Sequence, residues 1–379
     1  MTRFESIWQV PDRDVASGRF PGYVGAVRVR GETEVRAGGR AALDAAAPPM
    51  RDDTLFRIAS VTKPIGAALT LSLVQDGVLA LDDAAARWVP ELATPRVLVA
   101  RDAPLDRTTD ARRPITIRHL LTCTAGWGAV LEDTPLQRAM FERDVFPGPL
   151  IPPVTGDEFV ARVGELPLTF QPGEGWLYDT PLDVLGVVLT RATGTTLSEL
   201  LAARVTGPLG MTSTTFGTRD VARLATAYRP TESGGLEVLD PPDGAFAGPP
   251  AFEELSSGLV STAPDLARFF GALADGGAPV LRRETVALMT HDALDDAQRR
   301  DALPIVGPGG SWALGTGVDV EAARPWMATG RWGWSGGTGT TAYVDPARDT
   351  VAVLLTQRMM TGAQDGSFEN FWNAVAAAA

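Results

Sequence analysis

Disulfide chemistry is excluded by a count: the 379-residue chain holds one cysteine, Cys123, so no intrachain bridge can form and nothing points to an oxidising compartment. Without an evident base beside it in the sequence, Cys123 reads as a buried apolar thiol. Histidine is almost as scarce. His119 and His291 stand far apart, and with a single cysteine they give no zinc cluster at ligand spacing, so no metal or organic cofactor is expected. No run of apolar residues approaches membrane-spanning length, and Met1-Thr2-Arg3-Phe4-Glu5-Ser6 lacks the apolar core of a signal peptide. Positive charge is the minority sign, 34 basic against 46 acidic residues, a formal net charge of −12. That balance speaks against a nucleic-acid or anionic-membrane partner. The expectation is a cytoplasmic protein with neither a nucleic-acid nor a membrane partner, its oligomeric state not legible.

Rarest of the charged residues is lysine. Lys63 is the only one, and it lies three residues after Ser60 in Arg57-Ile58-Ala59-Ser60-Val61-Thr62-Lys63-Pro64. With 13 serines in the chain, chance would place one at that offset roughly 3% of the time. Positions i and i+3 of a helix are neighbours on one face, so the spacing sets a hydroxyl beside an amine. Pro64 places the helix start close to Ser60, because proline is tolerated only in the first turn. Arginine cannot lose its proton, whereas a buried lysine can, so a base here must be lysine. The pair reads as a nucleophile and its base, in preference to a capping serine and a surface lysine.

At 45% hydrophobic the chain can build one large or two medium domains. Tyr23 to Arg30 and Thr33 to Arg36, around Gly31-Glu32, predict an opening hairpin. Arg51 to Ile58 predicts a short strand leading into the helix at Ser60, which ends near Asp76-Gly77. From Leu81 to about Thr290 the pattern is mostly helical, with helices at Ile117 to Cys123 and Pro181 to Thr193 and glycine- and proline-rich loops at Phe146 to Pro153 and Asp240 to Pro250. Ser311 to Val320, Thr338 to Asp345 and Thr350 to Gln357 predict successive strands, before a last helix from Phe368 to Ala379. The fold class is α/β (α+β): an antiparallel sheet built from both termini and flanked by helices, residues 1–80 and 295–379. A mainly helical domain, residues 81–294, is inserted, with the active site at the junction.

Phe56 to Lys63, Leu120-Leu121-Thr122-Cys123-Thr124-Ala125-Gly126, Pro208-Leu209-Gly210-Met211 and Ser256 to Thr262 together resemble the landmarks of the serine beta-lactamase and penicillin-binding-protein superfamily. The likeness runs from about residue 20 to 360 and is strongest to the class C beta-lactamase-like branch, including family VIII carboxylesterases. It implies a tyrosine from a second motif. Tyr178, one of four tyrosines, has the matching context just before a helix, with Thr180 where the family carries asparagine. Phenol and amine both have reference pKa values near 10, so the expectation is that Lys63 and Tyr178 share a proton, the lysine uncharged part of the time.

The third motif falls at Gly333-Trp334-Ser335-Gly336-Gly337, with tryptophan where the family has a cation. An indole gives a large apolar wall with one donor, and the replacement resembles the tryptophan-glycine-glycine motif of family VIII esterases. The resemblance implies an oxyanion hole from the backbone N–H groups of Ser60 and Gly337. Trp127, Trp176, Trp312 and Trp332 are candidates to line an apolar pocket, a core role being as well supported for each. The expected activity is hydrolysis of a carboxylic ester through an acyl-enzyme, with acyl transfer as the alternative. A beta-lactamase or D-amino-acid peptidase would need a carboxylate anchor, Arg331 or Arg358; a binding protein of the same fold would not need Ser60, Lys63 and Tyr178 together. Gly333-Trp334-Ser335-Gly336-Gly337 also fits the GxSxG elbow, but both histidines precede Ser335 and the segment after it reads as strand, not helix.

Overall fold

Strands from the two ends of the chain meet in one seven-stranded antiparallel sheet. The computed structural model describes residues 3–148 and 150–379. The strands are β1 (Gly22–Val29), β2 (Glu32–Gly39), β3 (Gly310–Trp312), β4 (Gly317–Asp319), β5 (Trp332–Gly336), β6 (Thr340–Asp345) and β7 (Thr350–Thr356), in the spatial order β3-β4-β5-β6-β7-β1-β2. The first and last parts of the chain are stitched by the β1–β7 ladder, Tyr23 opposite Thr356 through Val29 opposite Thr350.

Alternation along these central strands buries both faces. Val24 and Ala26 of β1 and Val353 and Leu355 of β7 join the main core, whereas Tyr23, Val27, Ala352 and Leu354 join a second cluster on the opposite face. That second face is covered by α1 (Arg3–Ala16), through Phe4, Ile7 and Trp8, and by the C-terminal helix Glu369–Ala378, through Phe371 and Trp372. The sequence reading has no helix before Tyr23. Its signal was the spacing of Phe4, Ile7 and Trp8, one stripe at helical period. On the other face lies Ala263–Ala274, whose Leu266, Phe269 and Phe270 are fully buried. Each such side chain contributes roughly 1.5–3 kcal/mol of burial.

The predicted strand Ser311 to Val320 is two strands, β3 and β4, joined by a tight turn in which Ala313 N–H donates to Thr316 O at 2.8 Å. Of Arg51 to Ile58 only Phe56–Arg57 is strand, paired with Leu259–Ser261 in a separate three-stranded sheet. The stretch expected to be helical contains helices such as Pro135–Glu142, Gly156–Gly164 and α2 (Thr180–Thr193), but also the strand pair Ala227–Pro230 and Leu236–Asp240. α2 ends at Gly194 in the left-handed region, as a C-terminal glycine should.

Candidate active site

Ser60 sits in a single 3-10 turn, Ala59–Val61, that runs straight into the helix Thr62–Gln75. Ala59 is held at φ +43°, a conformation that an L side chain resists, so the turn before the serine is maintained by its surroundings. Those surroundings are visible. Arg57, buried, donates to Asp240 at 2.5 Å, to Ala225 O at 2.6 Å and to Pro241 O at 2.6 Å, which pins the strand before the turn. From the other side Thr338 Oγ1 donates to Arg57 O at 2.6 Å and Thr340 Oγ1 to Ile58 O at 2.8 Å. Only glycine fits at 336, because a Cβ there would lie 2.2 Å from Ile58 O. β5 and the turn carrying Ser60 are thus in direct contact.

Lys63 is fully buried, and its ammonium has three hydrogens for three acceptors: Ser60 Oγ at 3.0 Å, Ser256 O at 2.9 Å and the Asp179 carboxylate. Burial by itself would lower the lysine pKa, but the charge of Asp179, then Tyr178, outweighs it and leaves the group well above the ordinary lysine value. This corrects the expectation of a lysine uncharged part of the time. A lone buried ammonium is too costly, and a carboxylate of long sequence separation satisfies it. Asp179 was missed in the sequence. It adopts φ +86°, ψ −79°, close to a strained γ-turn, which turns its side chain back to Lys63 at the start of α2.

Around this pair lie two further buried acids. Asp183, whose Oδ1 accepts the Ser256 N–H at 2.9 Å, is pushed up to about 7 by burial and by Asp179, with Lys63 pulling the other way. Burial, then Asp183 and Asp179, raises Glu254 well above the carboxylate range.

Tyr178 lies next to Lys63, its ring centroid 4.4 Å from Nζ. Burial pushes the phenol up to about 12 while the Lys63 charge pulls it down. The ring is caged by Trp176, Trp312 and Trp334, with centroids 5.8, 5.7 and 5.8 Å away. Trp334 Nε1–H donates to the phenol oxygen at 2.5 Å. The indole donor expected to face substrate is therefore spent on Tyr178.

A cavity of about 350 Å³ opens on these groups, lined by Ser60, Tyr178, Trp334, Ser335 and Gly337 at one end. That size suits a small organic molecule. The N–H groups of Ser60 and Gly337 have no protein acceptor among the described residues, while Gly337 O is fixed by Met360 N–H at 2.8 Å. Ser335 lies within β5, its Oγ 2.8 Å from Thr341 Oγ1, and strand β6 follows, which removes the GxSxG elbow.

Trp127 does not reach the cavity. It is buried in the helical core with its indole on Leu166 O at 3.2 Å, and the next residues brace Tyr178, Ala129 N–H donating to Tyr178 O at 2.8 Å. Thr180 is buried and is not part of the lining, its hydroxyl without a partner among the described residues. Trp332 packs on Phe270 in the main core. Cys123 is buried, its thiol pushed up to about 12 by that burial. His119 caps its own short helix, Nδ1 accepting the Thr116 N–H at 3.2 Å, and His291 is exposed at a helix end. Among the described residues no cluster could hold a metal ion and no helix is long and apolar enough to cross a membrane.

A mixed fold with a serine and a buried lysine at the junction of sheet and helices defines a class. The chain belongs to the Beta-lactamase family, whose pattern matches residues 9–371. It is 40% identical to Protein Rv1367c of Mycobacterium tuberculosis, covering 82% of this chain and 79% of that one. To Esterase EstB of Burkholderia gladioli it is 33% identical, with 93% and 89% covered. Among solved structures it resembles EstCE1, described as a hydrolase with promiscuous acyltransferase activity, at a TM-score of 0.84 and 27% identity over 99% of this chain and 98% of that one.

Proposed function

We propose that the protein is a serine hydrolase of carboxylic esters that works through an acyl-enzyme on Ser60. The observation that carries this is the Ser60 hydroxyl, 3.0 Å from a buried ammonium, opening on a cavity beside two idle backbone donors. The likeness to Esterase EstB and to EstCE1 supports an ester as substrate.

Lys63 remains an ammonium in this scheme, and Tyr178 is the proton acceptor. As Ser60 Oγ bonds to the ester carbonyl carbon, its proton passes to the Tyr178 oxygen, where Lys63 and the Trp334 N–H stabilise the phenolate. A phenol near 12 makes a standing phenolate rare at neutral pH, so transfer and attack coincide in the transition state. The oxyanion takes the N–H groups of Ser60 and Gly337, the alkoxide leaves with the proton from Tyr178, and water completes hydrolysis. An alcohol in place of water gives acyl transfer from the same intermediate; the promiscuous transfer described for EstCE1 favours this as a second activity. No step calls on a cofactor. A cytoplasmic location suits a chain whose one cysteine is buried and unpaired.

Intact-mass measurement after reaction with a serine-directed phosphonate or an activated short-chain ester tests the reading. One adduct on the native protein and none on Ser60→Ala is the expected result; no adduct on the native protein removes the enzyme, and an equal adduct on the alanine variant moves the nucleophile elsewhere.

A further inference from the structure

Two helices of the active site grip one short segment between them. Lys63 and Gly66 lie three residues apart on the helix Thr62–Gln75, and Asp183 and Gly186 lie three apart on α2, so each pair shares a helix face. Both faces meet Leu255-Ser256. A Cβ at Gly66 would lie 2.6 Å from Leu255 Cγ, and one at Gly186 would lie 3.3 Å from Leu255 Cβ, so the two glycines admit Leu255 between the helices. The charged side chains take Ser256. Lys63 Nζ donates to its carbonyl at 2.9 Å, and its N–H donates to Asp183 Oδ1 at 2.9 Å.

Neither polar group of the Ser256 backbone has a backbone partner among the described residues, so the N–H depends on Asp183 and the carbonyl is left for Lys63. Ser256 is 0% exposed and Asp183 3%, which keeps bulk water from replacing either bond. A line of contacts therefore runs from Asp183 through Ser256 to Lys63, and on to Ser60 Oγ at 3.0 Å from the amine. The ammonium has three N–H bonds in tetrahedral directions. Two fixed acceptors, the Asp179 carboxylate and Ser256 O, aim the third at Ser60. Asp179 alone would leave the group free to turn about its Cε–Nζ bond.

We propose that Asp183 is a positioning residue for acylation of Ser60: by accepting the Ser256 N–H it sets the carbonyl that aims the Lys63 ammonium at the serine. This rests on the esterase reading above. Asp183 does not line the cavity, so it acts through Lys63 and not on substrate.

The test sets Asp183→Leu beside Asp183→Asn. Both remove the carboxyl group and nearly keep its shape, but only asparagine retains an oxygen for the Ser256 N–H. Each preparation is titrated to completion with a serine-directed phosphonate, and kcat on a neutral 4-nitrophenyl ester is expressed per reactive Ser60, so misfolded protein drops out. In the leucine variant kcat should fall at least about tenfold with KM within about twofold of native, and asparagine should bring kcat back to within about threefold. A role confined to stability would lower the fraction that titrates and leave kcat per site level, and that result overturns the proposal. An asparagine variant as slow as the leucine one also overturns it, because the charge and not the acceptor would then matter. If leucine gives no titratable protein, Asp183→Ala is read in the same way. A native protein that neither takes the phosphonate nor turns over the ester overturns the esterase reading, and the positioning role with it.

Discussion

Lys63 and Asp179 form a buried ion pair 116 residues apart in sequence, their side chains 0% and 8% exposed, and that pair fixes the charge beside Ser60. The lysine is held as a charged donor to the serine hydroxyl, with the Tyr178 ring centroid 4.4 Å from its nitrogen.

Asp179→Asn removes the carboxylate that holds the ammonium up against burial. Lys63 then loses its proton at lower pH, so the alkaline limb of kcat/KM should begin at lower pH than in the native enzyme, with kcat about a hundredfold lower at neutrality. Breaking a buried pair also costs about 3–5 kcal/mol of stability. A merely structural role would lower stability and leave the limb in place, so a pH–rate profile on a neutral 4-nitrophenyl ester decides.

Trp334→Phe keeps the aromatic wall but deletes the N–H that donates to Tyr178 at 2.5 Å. Hydrogen bonds to charged groups are worth about 1.5–3 kcal/mol, so kcat should fall roughly tenfold to a hundredfold with little change in KM. Steady-state kinetics on the same ester check this. A raised KM at constant kcat would return Trp334 to the role of substrate wall.

The meeting of Ser60 and Lys63 was legible because local geometry fixes it: a 3-10 turn running into a helix brings side chains three residues apart together whatever the rest of the chain does. The sheet from both ends was legible in the alternation of β1 and in the strand-like, Val- and Thr-rich runs of β6 and β7. Asp179 was not, because an ion pair spanning 116 residues leaves no periodicity. The available signal was physical: a chain with one lysine, argued to be buried, must supply a counter-charge, and an acid adjoins Tyr178. Trp127 and Trp334 show the other gap. Both are buried tryptophans beside glycines, and only the tertiary arrangement turns one toward Leu166 in the core and the other toward Tyr178.

Asp183 should make stability depend on pH. Its carboxyl is raised in the fold, to about 7, by burial and by the neighbouring Asp179, so the folded state keeps a proton that the unfolded chain gives up near 4. The unfolded state therefore binds fewer protons between these values, and stability falls as pH rises from about 4 to 7. Asp183→Asn keeps an oxygen for the Ser256 N–H and removes the charge. Its Tm relative to the native protein should be several degrees higher at pH 8 than at pH 5. Thermal melts at both values check it; an equal offset at each would mean that the carboxyl is ionised in the fold already at pH 5.

Thr180 offers a test on the first turn of α2. Its hydroxyl is 1% exposed with the residue and has no hydrogen-bond partner among the described residues, so folding removes it from water without compensation. Thr180→Val keeps the branched shape and deletes the unpaired group, which should raise stability by up to about 1 kcal/mol in urea unfolding with the m value unchanged. Had Thr180 taken over the substrate contact of the asparagine it replaces, kcat/KM would fall in the same variant while stability stayed level. The first outcome is the expected one, because a hydroxyl reaching substrate would have to line the cavity with Ser60, Tyr178 and Gly337, and Thr180 is not among the lining residues.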